Sequence, residues 1–176
     1  MALLTLSLGS NQRAEYHIRQ ALDGLEEHFG ALLTSSVFES QAVGFEGNNF
    51  LNMVVAVETD EPLEQIATWI KALETANGRQ HTEKRFSSRT LDVDILTWGT
   101  ACGRHAGIIL PRPEITENAY VLWPLSEVCG GCIDPRSGKS YTALWAAYDK
   151  TRQSLWPVDF TWQGRPISRA ASHRTA

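Results

Sequence analysis

Two amphipathic helical segments in the first eighty residues constrain the fold more than any other feature of this chain. In the first segment, apolar residues recur at spacings of three and four, and Gly30 follows the last of Ile18, Ala21, Leu22, Leu25 and Phe29. In the second, Asp60 and Pro62 precede a similar set and Gly78 follows it: Leu63, Ile66, Ala67, Ile70 and Leu73. This spacing predicts two helices, each with one apolar stripe to bury.

Four β-type segments surround these two helices. They cover residues 2–8, 32–38, 50–57 and 91–96. The resulting order, β-α-β-β-α-β, is that of the ferredoxin-like α+β fold, in which two helices cover one face of a mainly antiparallel sheet. We therefore expect the other face of the sheet to be free for ligands.

The pattern is less regular after residue 97. Four short elements are predicted there: a turn at 103–107, a strand at 108–110, the start of a helix at 118–122 and a helix at 142–148. Beyond residue 150 we expect a short strand within 154–162 and then a disordered polar tail. The sequence thus indicates a main domain at 1–150 and a C-terminal extension at 151–176, with additional strands and helices following the ferredoxin-like unit.

Composition excludes several classes of protein. The chain has 176 residues, a length suited to a single domain, and a formal net charge of -4, which argues against a general nucleic-acid binder. No apolar stretch is long enough to cross a membrane. The first eight residues lack the basic flank of a signal peptide, so we expect a cytoplasmic protein without nucleic-acid or membrane partners.

Three cysteines give little support for a metal site. Cys129 and Cys132 form a C-x-x-C pair, and Cys102 is the remaining thiol. A structural zinc site needs four ligands, and no second pair accompanies this one. A half-site of this kind is weak evidence for a metal ion.

Asp92 and Asp94 lie on one face of the predicted strand at 91–96, because side chains alternate along a strand. At roughly 3.3 Å per residue their positions are about 6.6 Å apart. Magnesium commonly uses one or two carboxylates and completes its shell with water and substrate phosphates. The pair therefore predicts a site for magnesium and phosphate.

The loop before this strand supplies a counter-charge for phosphates. Its cations are Arg79, Lys84, Arg85 and Arg89, with Glu83 opposing them. Arginine forks suit phosphate oxygens. A solvated surface turn with a chance excess of cations is the alternative.

These features resemble a known family. The segments that carry the resemblance are Leu8-Gly9-Ser10-Asn11, Gly78-Arg79, Arg85-Phe86, Arg89-Thr90-Leu91-Asp92-Val93-Asp94-Ile95 and Trp123-Pro124-Leu125. Over residues 3 to 148 the chain is similar to the 6-hydroxymethyl-7,8-dihydropterin pyrophosphokinases of folate biosynthesis. The resemblance implies pyrophosphate transfer from ATP to the pterin, release of AMP, two assisting Mg²⁺ ions at Asp92 and Asp94, and catalytic roles for Arg79 and Arg89.

The resemblance also implies a pterin site. It assigns ring stacking to Phe50 and Tyr120, reading of the ring edge to Asn52, and backbone contacts to Val43 and Gly44. Phe50 and Asn52 share one face of their strand, as such a site requires. Either aromatic residue taken alone would also suit a hydrophobic core.

For ATP, the resemblance implies contacts from Glu74, Arg79, Arg85, Arg89 and Arg112. Glu74 falls inside the apolar stripe of the second helix, so it either has a partner or is solvated at an exposed last turn.

The resemblance also places Cys129 and Cys132 in a hydrophobic turn that is followed by a short ribbon. We therefore predict that both are small packed residues rather than metal ligands.

The chain departs from the family pattern at three positions. Phe86 replaces the usual tryptophan of the catalytic loop. Arg112 replaces the usual histidine, and Asn118 replaces the usual arginine two residues before Tyr120. A catalytically impaired paralogue that binds pterin is therefore an alternative to the active enzyme. A ferredoxin-like nucleic-acid module is a second alternative, but the stacking motif and basic face that it needs are absent from the sequence.

Overall fold

The computed structural model describes residues 1–42, 47–78 and 90–171. These ranges contain ten strands and four α-helices, in the order β1 (Ala2–Ser10), α1 (Ala14–Phe29), β2 (Leu33–Thr34), β3 (Val37–Ser40), β4 (Phe50–Thr59), α2 (Leu63–Ala76), β5 (Asp92–Trp98), β6 (Gly103–His105), β7 (Ile108–Leu110), α3 (Ala119–Cys129), α4 (Tyr141–Ala147), β8 (Leu155–Val158), β9 (Phe160–Trp162) and β10 (Arg165–Ser168). A short 3-10 turn at Pro113–Ile115 precedes α3.

The central sheet has six strands. Its order is β5-β1-β4-β3-β8, and β2 also pairs with β4. Every pairing in the sheet is antiparallel. The predicted α+β class is thus confirmed, and the two predicted helices lie between the expected strands.

Alternation along the strands divides the core between the two faces of the sheet. On one face, Leu4, Leu6 and Leu8 of β1 pack with the apolar stripes of α1 and α2. On the other face, Val54 and Leu96 pack with residues of α3 and α4. The expectation that the second face is free was therefore wrong in part, because α3 carries an apolar stripe of its own and covers much of that face.

The predicted strand at 32–38 is divided into β2 and β3. The cause is Ser35, whose Oγ accepts a hydrogen bond from the Val54 amide at 2.8 Å. A side chain thereby takes the place of a main-chain acceptor at the break.

The turn predicted at 103–107 is also shorter, since β6 occupies its first three residues and Ala106 and Gly107, both with positive φ, form the turn.

The C-terminal extension contributes to the core. Strand β8 pairs with β3 at the edge of the central sheet. Phe160 and Trp162 of the β9–β10 hairpin lie in the core cluster of α1, and the Trp162 indole donates to Asp23 Oδ1 at 2.9 Å. The sequence predicted one strand followed by a disordered tail, so β10 corrects that expectation, whereas the domain boundary at residue 150 stays a prediction.

Cys129 and Cys132 form a disulfide, which corrects the prediction that they are separate packed residues. Gly130 and Gly131 lie between them, and the Cys132 amide donates to the Cys129 carbonyl at 3.0 Å. This tight turn brings the two Cα atoms to 5.4 Å, a distance that a disulfide can span.

Candidate active site

Gly9 of β1 is the centre of a row of residues that crosses three strands. It pairs with Asn52 of β4 on one side and with Asp92 of β5 on the other. A Cβ atom on Gly9 would lie 3.3 Å from Asn52 Oδ1, which is tighter than most real contacts. The missing side chain therefore leaves room between the amide of Asn52 and the carboxylate of Asp92.

Asp92 and Asp94 lie on the same face of β5, as the alternation predicted. Asp94 pairs with Ser7, two positions along the ladder from the Asp92–Gly9 pair. Both carboxylates are half-buried and line a cavity of about 100 Å³ with Asn52, Glu114, Asn118 and Tyr120. The structure thus brings the predicted metal ligands together with two of the predicted pterin contacts.

Glu74 anchors the edge strand β5 to α2. Its side chain is buried, and Oε2 accepts a hydrogen bond from the Val93 amide at 2.9 Å. Because Val93 lies between the two aspartates, this bond fixes the backbone from which both carboxylates project. The solvated alternative for Glu74 was wrong, and its contact with the nucleotide stays a prediction.

Arg112 lies beside the carboxylates. Its Nε donates to the Ile95 carbonyl at 2.8 Å, and its Nη2 is 4.0 Å from Asp94 Oδ1. The guanidinium is therefore tied to β5 and close to the predicted metal ligands. Its contact with ATP stays a prediction.

Asn52 is buried and already oriented. Its Nδ2 donates to Ser40 Oγ of β3 at 2.8 Å. Phe50 is half-buried two residues earlier on the same face of β4, but it is not among the described residues that line the 100 Å³ cavity. The geometry thus supports Asn52 as a ligand contact more directly than Phe50.

Tyr120 lies in the first turn of α3, opposite the carboxylates. Burial raises the pKa of its phenol, and the negative charges of Asp94, Asp92 and Glu114 raise this pKa further. The neutral phenol is therefore stabilised at physiological pH, and its ring can pack against an uncharged aromatic ligand.

A second cavity, of about 180 Å³, shares Tyr120 with the first. It is lined by Ser40, Gln41, Ala42, Tyr120, Arg152, Gln153, Ser154 and Leu155. Three polar residues of the C-terminal extension thus lie at a site that sequence reasoning confined to the main domain. No local pattern distinguishes them, because tertiary contacts, among them the pairing of β8 with β3, bring them to the cavity.

Glu114 is a further residue that sequence reasoning missed. It adds a third carboxylate to the 100 Å³ cavity, and its Oε2 is buried without a hydrogen-bond partner among the described residues. The signal that could have identified Glu114 is its position two residues after Arg112, in a segment that resembles the family.

Five predicted site residues lie outside the described ranges. Val43 and Gly44 fall within 43–46, and Arg79, Arg85 and Arg89 fall within 79–89. Their assigned contacts stay predictions.

The donor set suits a cation that draws most of its ligands from substrate. Within the described ranges, no group of three or more His, Cys, Asp or Glu side chains could hold a metal ion. Asp92 and Asp94 are nevertheless side by side on β5, and two carboxylates with phosphates and water are a common magnesium shell. The residues present therefore fit a magnesium ion bound together with a phosphate-bearing ligand.

An antiparallel α+β domain with paired carboxylates beside a ligand cavity fits the class of metal-dependent enzymes that transfer phosphate groups. No described helix has the length and apolar character needed to span a membrane. Residues 5–130 match the 7,8-dihydro-6-hydroxymethylpterin-pyrophosphokinase (HPPK) family, and the chain belongs to that family.

Relatives with curated names agree with this assignment. The chain is 34% identical over 128 residues to 2-amino-4-hydroxy-6-hydroxymethyldihydropteridine pyrophosphokinase of Bacillus subtilis, covering 70% of this chain and 76% of the relative. It is also 34% identical over 138 residues to the enzyme of the same name from Aquifex aeolicus, covering 77% and 85% of the two chains.

Solved structures share the fold. A structure of HPPK-DHPS in complex with substrates has a TM-score of 0.68 at 11% identity, and 98% of this chain aligns with 49% of that chain. Plasmodium falciparum HPPK-DHPS with pteroate has a TM-score of 0.66 at 12% identity, with 95% and 47% coverage. This protein thus spans about half the length of those chains.

Proposed function

We propose that this protein transfers pyrophosphate from ATP to 6-hydroxymethyl-7,8-dihydropterin, with release of AMP, in folate biosynthesis. The observation that carries the proposal is the convergence of Asp92, Asp94, Asn52 and Tyr120 on one cavity in a chain of this family. Nothing in the comparisons favours the catalytically impaired alternative.

In the proposed reaction, the pterin hydroxymethyl oxygen forms a bond to the β-phosphorus of ATP. The bond from that phosphorus to the oxygen bridging the α-phosphate breaks, AMP leaves with that oxygen, and the hydroxyl proton is lost to solvent. Little covalent chemistry falls to the protein, so its contribution is positioning and charge stabilisation.

Asp92 and Asp94 would hold magnesium, two ions in our proposal, and Glu74 would keep their strand in place through the Val93 amide. Bound magnesium would neutralise phosphate charge and orient the two substrates. Arg79, Arg85, Arg89 and Arg112 would offset the charge that develops on the transferring and leaving groups.

For the pterin, Asn52 would read the ring edge, with its amide oriented by Ser40. Phe50 and Tyr120 would contact the ring faces, and Val43 and Gly44 would add backbone hydrogen bonds. A cytoplasmic location and the absence of nucleic-acid partners complete the proposal from the sequence.

Incubation of the protein with ATP, magnesium and the hydroxymethyl dihydropterin tests this function. We expect AMP and the pterin diphosphate in equal amounts, with the Asp94→Asn variant as the inactive control. Formation of ADP would indicate phosphoryl rather than pyrophosphoryl transfer. If the protein binds the pterin but forms neither AMP nor ADP, it would instead be the catalytically impaired paralogue.

A further inference from the structure

Tyr120, in the first turn of α3, lines both cavities, and the start of this helix is capped by a residue from outside it. Asn118 precedes the helix in extended conformation, and its side chain makes no capping hydrogen bond to the helix. Its carbonyl accepts from the amides of Val121 and Leu122, each at 3.0 Å. The Ala119 amide is one of the first helical N–H groups, which have no acceptor within a helix.

Gln153 supplies the missing acceptor from the C-terminal extension. Its Oε1 accepts from the Ala119 amide at 2.8 Å, and its Nε2 donates to Asn118 Oδ1 at 2.8 Å. The two bonds join Gln153 to two consecutive residues at the start of α3, through the side chain of Asn118 and the backbone amide of Ala119. Tyr120, which lines both cavities, is the next residue.

The Ala119 amide determines the orientation of both side-chain amides. A backbone N–H can only donate, so Gln153 must present its oxygen there and its amino group to Asn118. Asn118 must then present Oδ1 to Gln153. The amino group of Asn118 can then donate to a ligand in the 100 Å³ cavity, which Asn118 lines.

The segment that carries Gln153 is itself anchored near α3. The Tyr148 hydroxyl donates to the Glu117 carbonyl at 2.9 Å, and the Arg152 guanidinium lies 5.3 Å from the Tyr148 ring centre. Asp149 Oδ1 accepts from the Thr151 amide at 3.0 Å. Gln153 is therefore a fixed rather than a flexible partner for the start of the helix.

We propose that Gln153 is a positioning residue for the pterin ring, acting by holding the first turn of α3 and with it Tyr120. The proposal rests on the proposed function, because it assigns Tyr120 to the pterin. It makes the C-terminal extension a part of the active site. Gln153 acts through its neighbours and takes no direct part in the transfer.

The test compares Gln153→Ala with Gln153→Glu and with Gln163→Ala. Gln163 is a matched control, since its Nε2 also makes one 2.8 Å side-chain bond, to Glu26 Oε1, at an exposed site of the same extension. Loss of a helix cap corresponds to about a fivefold change in an equilibrium constant. We expect Gln153→Ala to raise the KM and Kd for pterin about fivefold, with the KM for ATP nearly unchanged and kcat less affected.

Gln153→Glu should restore pterin affinity only in part, because a carboxylate still accepts from the Ala119 amide and suits a helix N-terminus, whereas Asn118 must turn its amide to donate to that carboxylate. Gln163→Ala should match the wild type. If Gln153→Ala matches Gln163→Ala in pterin affinity, the proposal is overturned. If Gln153→Ala does not fold, Gln153→Met, which has similar length without the hydrogen bonds, takes its place.

Amide hydrogen exchange separates this proposal from the proposed function. The amides of the first turn of α3 should exchange faster in Gln153→Ala than in Gln163→Ala, whether or not the protein makes AMP. Unchanged exchange there would overturn the positioning role even in an active enzyme. If the wild-type protein yields no AMP but these amides still exchange faster in Gln153→Ala, the positioning of the first turn of α3 by Gln153 stands and the proposed reaction is wrong.

Discussion

The two sides of the 100 Å³ cavity are built in different ways. On the carboxylate side, strand pairing places Asp92 opposite Gly9 and Asp94 opposite Ser7. On the aromatic side, Tyr120 belongs to a helix whose first turn is held by Gln153, 34 residues from Ala119 along the chain. Backbone ladders, together with the Glu74 bond to the Val93 amide, position the carboxylate side, and the contact between Gln153 and Ala119 positions the aromatic side.

This difference suggests different tolerances to mutation. A carboxylate projecting from a paired strand keeps its direction as long as the ladder is intact, so its substitution should change chemistry and little else. A residue at a helix start depends on every contact that holds that start. Substitutions on the aromatic side should therefore change affinity by degrees.

The largest effect is expected from Asp94→Asn or Asp92→Asn. Each removes a proposed magnesium ligand, and turnover should fall at least a hundredfold, since loss of one preorganised charge-stabilising group costs roughly that much. Pterin binding measured without nucleotide should change less than about twofold, because these carboxylates are assigned to metal and phosphates. Calorimetry and AMP production measure the two quantities.

Asp60→Asn is the matched control, since Asp60 is an exposed aspartate that pairs only with the N-terminal amine at 3.2 Å among the described contacts. It should be fully active. If Asp94→Asn retained most of its AMP production, the assignment of Asp94 to magnesium would be wrong. The contrast between the carboxylate side and the aromatic side would then be wrong too.

Asn52→Ala should weaken pterin binding by roughly 1–3 kcal/mol, or about fivefold to 150-fold, because polar groups of the ring edge would be buried without a partner. Ser40→Ala, which only removes the hydrogen bond that orients Asn52, should give a smaller loss. Calorimetric titration with the pterin measures both. Equal affinities for the wild type and Asn52→Ala would mean that another group reads the ring edge.

The sequence predicted the carboxylate side better than the aromatic side, for a physical reason. Asp92 and Asp94 were found because alternation along a strand is a local property, and Glu74 was found as an anomaly in a helical stripe. The clasp between Gln153 and Ala119 has no local signature, since it depends on how β8 docks against β3. The sequence prediction missed the disulfide between Cys129 and Cys132, because it considered the two cysteines only as metal ligands. It did not consider that a tight turn could bring them together.

Glu74→Ala should cost about 1–3 kcal/mol of unfolding free energy, because the Val93 amide would lose its buried acceptor. We expect kcat to fall several-fold as the backbone between the aspartates loosens. Glu74→Gln should restore both, since an amide oxygen can also accept this bond. If Glu74→Gln instead raises the KM for ATP as much as Glu74→Ala does, the charge of Glu74 serves the nucleotide rather than the strand.

The smallest effect is expected from Tyr120→Phe, which keeps the ring and removes the hydroxyl. Because burial and the charges of Asp94, Asp92 and Glu114 raise the phenol pKa above its ordinary value of 10.0, the group is neutral near pH 7. The pterin affinity of Tyr120→Phe should therefore lie within about threefold of the wild type. The wild-type affinity should show no ionisation of Tyr120 between about pH 6 and pH 9, because the ordinary phenol pKa is about 10. A larger loss would mean that the hydroxyl contacts the ligand.

The same raised pKa gives Tyr120→Phe a signature in alkaline stability. The folded protein binds the phenolic proton more tightly than the unfolded chain, so the unfolding free energy falls as the pH rises above about 10. In Tyr120→Phe this decrease of the unfolding free energy with pH should be shallower, as measured by denaturant titrations across the same pH range. The comparison with Asp94→Asn is decisive, because removing that carboxylate lowers the Tyr120 pKa and should also make the fall shallower. An unchanged slope in both variants would mean that Tyr120 does not sense the carboxylates, and the two sides of the cavity would then be electrostatically independent.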